Sequence, residues 1–189
     1  RQCDEVSEII VVDDGSEDHT AERAKAAGAR VVGHPCNLGK AGALKTGVES
    51  TRAPVLLFLD ADLVGLSPVH VRALLRPVLD GQADMTVGIF DDGRVATDLA
   101  QMVAPYLSGQ RAIRRELLVS LPELAHSRYG FEVIMNRSAQ INRHKVVWVD
   151  LPNLSQVLKE EKLGLARGFA ARMQMYWQIL RALVMVKPQ

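Results

Sequence analysis

The chain has 189 residues, enough for one domain with a substantial core. With 48% hydrophobic and 24% charged residues its composition is that of an ordinary globular protein, and a net charge of +1 supplies no bulk field for nucleic acid. Two cysteines, Cys3 and Cys36, make no disulfide framework and suit a reducing compartment. No run has the length of a membrane-spanning helix and no signal peptide is visible, so a cytoplasmic location is expected.

Arg1 stands only a few residues before the first strand, so the chain reads as beginning partway into a fold. Residues 8–12 are an apolar strand that ends in Asp13 and Asp14. Gly15 and Ser16 give a turn, and Asp18 or Ser16 can cap the helix that follows. That helix, residues 20–27, is short and alanine-rich, with Gly28 suited to its C′ position. Residues 30–33 form a brief strand, and strand, helix, strand opens a parallel α/β arrangement.

Residues 37–47 place three glycines and two lysines around the start of a helix. Free N–H groups and the helix dipole favour anions there. Gly39 and Gly42 let a ligand or another backbone come close, and Lys40 can meet a phosphate. The Gly-Lys-Ser/Thr ending of a P-loop is absent, and a glycine-rich helix packed tightly on the sheet reads equally well.

Val55 to Leu59 is a run of five apolar residues that suits a strand buried on both faces, and it ends in Asp60-Ala61-Asp62. As a strand-like continuation this end would point both carboxylates into one crevice, beyond the carboxyl end of the sheet where ligands collect. Two such carboxylates repel unless a cation lies between them, and Mg²⁺ or Mn²⁺ is the natural partner. A strand end with solvated aspartates is the plain alternative.

Ser67 and Pro68 read as N-cap and first helical residue, and Pro77 predicts a kink or early end before Asp80-Gly81. Residues 83–90 contain a strand, and residues 91–98 are polar enough for a mobile loop. Ser108-Gly109-Gln110-Arg111-Ala112 reads as a loop before a charged helix over 114–121. A longer helix runs from about 130 to 142, and residues 145–151 form a last strand with a Val/Trp/Val pattern. Residues 163–186 are helical, with Phe169, Met173, Tyr176, Leu180 and Leu183 on one stripe. That stripe suits packing on the domain, a homodimer contact or a membrane surface at the inner face. The five histidines, His19, His34, His70, His126 and His144, lack metal-ligand spacing among themselves and read as surface or core.

Four stretches in this order resemble the family 2 glycosyltransferases. They are Val11-Val12-Asp13-Asp14-Gly15-Ser16, Asn37-Leu38-Gly39-Lys40-Ala41-Gly42-Ala43, Phe58-Leu59-Asp60-Ala61-Asp62 and Ser108-Gly109-Gln110-Arg111-Ala112. The last looks most like the branch with dolichyl- and polyprenyl-phosphate sugar transferases. The resemblance implies a GT-A fold, a three-layer α/β sandwich with a mixed, mostly parallel sheet, over residues 1–162, followed by the helical tail over 163–189. It implies metal-dependent transfer of a sugar from a UDP-sugar or GDP-mannose, with inversion, to a polyprenyl phosphate or a small hydroxyl acceptor. Asp13, Asp14, Gly39, Lys40, Asp60 and Ala61 would lie along the nucleotide sugar. Asp62 would bind the metal directly, with Asp60 on it, on its water or on the ribose. Arg111 would support a phosphate, and Glu132 would be the general base.

Two departures stand out. The family's opening strand, with its Pro and Asn-Glu pair, is not seen before residue 8, and the segment after the last core strand, residues 149–154, has no His. A non-catalytic nucleotide-binding relative is one rival reading. Another is a phospho-receiver domain, with Asp13, Asp14, Asp60 and Thr86 in its acidic and hydroxyl positions.

Overall fold

The computed structural model describes residues 3–90, 108–119 and 131–156. Strand β1 (Ile10–Asp13) pairs in parallel with β2 (Arg30–Gly33), and helix α1 (Thr20–Ala26) joins them. Asp18 takes the Thr20 N–H at 3.0 Å at the start of α1, and Gly28 follows it at φ +85°. Gly pays no steric cost there, which is why the chain turns at that residue.

Helix α2 (Lys40–Glu49) leads to β3 (Val55–Phe58), which lies at one edge of a four-stranded sheet ordered β3-β6-β5-β7. Here β5 is Met85–Phe90, β6 is Arg111–Arg114 and β7 is Val146–Leu151. β6 runs antiparallel to both β3 and β5, while β5 and β7 are parallel, so the sheet is mixed. Two short strands, β4 (Leu63–Val64) and β8 (Ser155–Gln156), pair antiparallel beside it.

Two expectations change here. The apolar run that starts at Val55 leaves the sheet after Phe58, so Leu59 and Asp60 are irregular and Ala61-Asp62 forms a turn. The strand-alternation argument for paired Asp60 and Asp62 side chains therefore does not apply. Arg111 and Ala112 are not in a loop but open β6, where Arg111 faces Phe58 and Val87, and Ala112 faces Leu57 and Thr86. A charged residue at a central strand position is a poor propensity match. Tertiary pairing on both sides overrides that preference.

The sheet has helices on both faces. Leu56, Met85, Val87 and Ile113 pack with Leu118 of α4 (Arg115–Val119) and with Phe131, Met135 and Ala139 of α5 (Phe131–Ile141). On the opposite face Ala112 and Leu151 pack with Leu74, Leu75 and Val78 of α3 (Pro68–Leu79). Alternate strand residues thus feed two cores, the period-two signature of a sandwiched sheet. Truncating a side chain such as Leu74, fully buried here, costs roughly 2–5 kcal/mol in comparable cores.

α3 begins as expected, with Ser67 as N-cap and Pro68 after it, and His70 completes a capping box. Pro77 does not end it: the helix continues to Leu79. Thr86, fully buried, donates to the Leu74 carbonyl at 2.8 Å and accepts the Ala112 N–H at 3.2 Å, fastening α3 to the sheet.

α2 connects the β1-β2 pair with the four-stranded sheet. Its Leu44 and Val48 pack on the core that contains Leu56 and Phe58, and a side chain at Gly47 would meet Val12 of β1 at 3.5 Å. The helix over 114–121 starts one residue later than expected, at Arg115, because Arg114 still belongs to β6. The expected loop over 91–98 and helical tail over 163–186 lie outside the described residues. Among the described residues no helix is long and apolar enough to cross a membrane.

Candidate active site

The carboxyl ends of β1 and β3 and the N-terminus of α2 form the site. At the β1 end, Asp13 is buried and its Oδ1 accepts the Ser16 N–H at 2.9 Å, closing the turn after the strand. Asp14 uses both oxygens. Oδ1 accepts the Leu38 N–H at 2.8 Å, and Oδ2 accepts the Gly39 N–H at 2.7 Å. His34 Nδ1 lies 2.7 Å from the same Oδ1, and its Nε2 lies 2.8 Å from Thr46 Oγ1 on α2. Burial alone would raise the Asp14 carboxyl, but the bonds from His34, Leu38 and Gly39 outweigh it and hold it below the ordinary value.

This cluster sets the entry to α2. Gly39 is the N-cap, at φ +84°, a conformation that other residues adopt at a cost. With Gly39 fixed by Asp14, Lys40 is the first residue of the helix. Its ammonium bridges two carboxylates, at 2.9 Å from Asp60 Oδ1 and 2.7 Å from Glu132 Oε1. Burial would lower its pKa, but the charges of Glu132 and Asp60 raise it above the ordinary value, so Lys40 is firmly cationic at neutral pH.

Asp60 is held from the other side by Gln110. The Asp60 N–H donates to Gln110 Oε1 at 3.1 Å, and Gln110 Nε2 donates to Asp60 Oδ2 at 3.1 Å. Gly109 makes room: a Cβ there would lie 2.5 Å from Asp60 Oδ2. Glu132, on the first turn of α5, has a side chain only 12% exposed. Arg111 sits behind both acids with no exposed surface. Its guanidinium donates to the Ser108 carbonyl and, at 3.2 Å, to Asn136 Oδ1. Burial pulls its pKa down to about 10, against the opposing pull of Glu132 and Asp60, so it too is charged at neutral pH. The site therefore gathers two cations and two anions. Lys40 is the cation that an incoming phosphate would meet first, because Arg111 is enclosed.

Asp62 lies half-buried in the turn after Asp60, with the exposed Ala61 between them. Among the described residues no three metal-capable side chains gather at one point. The segment 149–154 has no His of its own, but a histidine of α3 reaches it. His70 contacts it through Nε2 at 3.0 Å from the Pro152 carbonyl, while Nδ1 accepts from the Ser67 N–H at 3.3 Å.

Of the expected site residues, the structure brings together Lys40, Asp60, Glu132 and Arg111, and separately Asp14 with the Gly39 turn. Two contributors escaped the sequence reading. His34 reads from sequence as surface or core, and its contact with Thr46 makes it a link between the end of β2 and α2. Gln110 occupied the unspecified position of Ser-Gly-x-Arg-Ala. The glycine before it was the available signal, since a residue without a side chain often marks a close approach.

The mixed sheet with helices on both faces is the α/β fold of the GT-A glycosyltransferases. A family description, "Glycosyl transferase family 2", matches residues 1–142, and the chain belongs to that family. Glucosyl-3-phosphoglycerate synthase of Mycobacterium tuberculosis (strain ATCC 25618 / H37Rv) is 34% identical over 163 residues, covering 68% of this chain and 50% of the relative. The synthase of Mycolicibacterium smegmatis is 32% identical over 160 residues, covering 68% and 52%. The chain thus spans about half the length of these relatives. A crystal structure of the M. tuberculosis enzyme in complex with Mn²⁺, UDP-glucose and phosphoglyceric acid matches with a TM-score of 0.72 and 29% identity, covering 96% of this chain and 70% of that one. A complex of the same enzyme with Mg²⁺ and UDP gives 0.73 and 29%, covering 95% and 68%.

These similarities correct two expectations. The polyprenyl-phosphate branch, drawn from the Ser-Gly-Gln-Arg-Ala stretch, finds no support among these relatives. The phospho-receiver reading is excluded by the family match, and buried Thr86 serves to hold α3 to the sheet.

Proposed function

We propose that the protein transfers glucose from UDP-glucose to a small phosphorylated hydroxy acid of the 3-phosphoglycerate kind, with a divalent cation. The observation that carries this reading is the Lys40 ammonium, set at the N-terminus of α2 between Asp60 and Glu132. It is a ready partner for a diphosphate, with helix N–H groups beside it. The UDP-glucose, Mn²⁺ and phosphoglyceric acid bound by the M. tuberculosis relative support the choice of donor and acceptor.

The residues present fit a metal. Asp60 and Asp62 offer hard oxygen donors two positions apart, and Mg²⁺ or Mn²⁺ is commonly held by one or two carboxylates with the rest from substrate phosphates and water. A bound cation would neutralise charge on the leaving nucleoside diphosphate. Asp62 is the proposed ligand, with Asp60 on the metal, on its water or on the ribose. Lys40 turns from the carboxylates to the diphosphate when the donor enters. Glu132, released from Lys40, accepts the proton of the acceptor hydroxyl. The acceptor oxygen then bonds the anomeric carbon as the bond to the diphosphate breaks, and the electron pair leaves with UDP. Arg111 steadies the two acids from behind as a fixed positive charge. Asp13 and Asp14 shape the nucleotide side, Asp14 through the Gly39 turn.

The test is a screen of UDP-glucose, other UDP-sugars and GDP-mannose with Mn²⁺ or Mg²⁺ against 3-phosphoglycerate, other small hydroxy acids and a polyprenyl phosphate, reading release of nucleoside diphosphate. UDP-glucose with 3-phosphoglycerate should give the fastest metal-dependent release, and Asp62→Ala should remove it. Turnover equal in Asp62→Ala and the unmodified protein would overturn the metal assignment. The anomeric configuration of the product, read by NMR, tests the inversion implied by the family resemblance.

A further inference from the structure

We infer that Gln110 is a positioning residue that sets the orientation of the Asp60 carboxylate. The amide makes a two-point clamp: Oε1 accepts the Asp60 backbone N–H and Nε2 donates to Asp60 Oδ2, each at 3.1 Å. The bond to Oδ2 leaves Oδ1 to Lys40 at 2.9 Å, so the two oxygens of one carboxylate have different partners. Asp60 lies two residues beyond the last residue of β3, and the clamp holds its backbone N–H there.

The clamp is itself anchored. Gln110 has no exposed surface. Its carbonyl accepts the Gly88 N–H of β5 at 2.7 Å, and its own N–H donates to Ser108 Oγ at 3.3 Å. Arg111 binds the Ser108 carbonyl from the other side and reaches Asn136 on α5. Gly109 keeps the path to Asp60 open, since a Cβ at that residue would press on both carboxylate oxygens, at 2.5 and 2.7 Å. The same buried segment thus couples the orientation of Asp60 to α5, which carries Glu132.

Only a group that accepts and donates at this spacing serves. Methionine is similar in length and makes neither bond. Glutamate can accept the Asp60 N–H but sets one carboxylate against another. The consequence for chemistry rests on the reading of Asp60 as part of a metal- and nucleotide-binding site. Partners that orient a ligating carboxylate typically change metal affinity or activity by about 10- to 100-fold when lost.

The experiment has two arms on the full chain. Residue-resolved amide hydrogen exchange needs no ligand. The Asp60 amide should be protected in the unmodified protein, at least tenfold less so in Gln110→Met, and still protected in Gln110→Glu, while β3 amides that pair with β6 hold their protection. Calorimetric titration of UDP with Mn²⁺ is the second arm. Affinity should fall roughly tenfold or more in Gln110→Met and further in Gln110→Glu. An unprotected Asp60 amide in the unmodified protein, or a folded Gln110→Met that exchanges and binds as the unmodified protein does, overturns the inference. If Gln110→Met does not fold, Gln110→Glu decides: protection kept with affinity lost supports the clamp, and affinity unchanged overturns it. If the unmodified protein binds no UDP with Mn²⁺, the proposed function fails, and the exchange arm still decides for Gln110.

Discussion

Two strand ends in this molecule carry acids that look alike in sequence and do different work. At the end of β1, Asp14 is satisfied by amide N–H groups and a histidine, all fixed to the fold. At the end of β3, Asp60 shares its charge with Lys40, a long, partly exposed side chain that also pairs with Glu132. A carboxylate bound to backbone amides is architecture, because exchanging those partners means unfolding a turn. One bound to a lysine can exchange that partner for a ligand at little structural cost. Asp14 builds the entry to α2, and we propose that Asp60 is the acid that meets the substrate.

The largest expected effect tests the β3 end. Asp60→Ala leaves Lys40 paired with Glu132 alone and removes the group that Gln110 orients. The turnover rate under the proposed reaction should fall by roughly 10³-fold, as for loss of one strong electrostatic contact in a transition state. Melting should shift far less than activity. A variant that retains most of its turnover would erase the distinction drawn between the two ends.

Lys40→Met comes next. It leaves Asp60 and Glu132 facing each other without their shared cation and strips the diphosphate of its proposed partner. The Michaelis constant for the nucleotide sugar should rise by about 10²-fold, with a smaller change in kcat. Steady-state kinetics at several donor concentrations separates the two constants.

Asp14→Asn probes the other end and should act mainly on stability. Losing charge-assisted bonds to the Leu38 and Gly39 amides costs about 1–2 kcal/mol. Since the folded carboxyl lies below its ordinary value, its contribution is fully present above the unfolded value, near 4. It is lost as pH falls through the lower folded value. Melting curves of the two proteins should therefore differ at pH 6 and converge in strongly acidic buffer. A gap that widens on acidification would contradict the assigned direction.

The smallest effect is a control far from both acids. Arg30 pairs with Glu8 at 3.1 Å on the surface, with both side chains well exposed. Arg30→Ala should change stability by about 1 kcal/mol or less and leave turnover unchanged.

The fold was legible where local and tertiary preferences agree. The strand expected over 8–12 formed over Ile10–Asp13, and the Ser67-Pro68 helix start and the Val/Trp/Val strand formed as patterned; the run over 55–59 made a strand only over Val55–Phe58, at a sheet edge and half-buried except at Leu56. β6 was not legible, because Arg111 and Arg114 flank only two apolar residues. Its strand character comes from neighbours on both sides. Of the two readings of Pro77, the early end did not occur: α3 continues to Leu79, two residues beyond it.

The chain by itself carried the family. Acids at two strand ends, a Gly/Lys helix start between them and an acid at Glu132 are properties of residue type and order, and they carried the family. Tertiary structure alone decided which of those residues meet. It placed Glu132 within 2.7 Å of a lysine 92 positions earlier in the chain (132 − 40 = 92), enclosed Arg111, and made Gln110 the partner of Asp60. Such assignments depend on which side chains meet across the sheet, and one-dimensional spacing does not contain that distance.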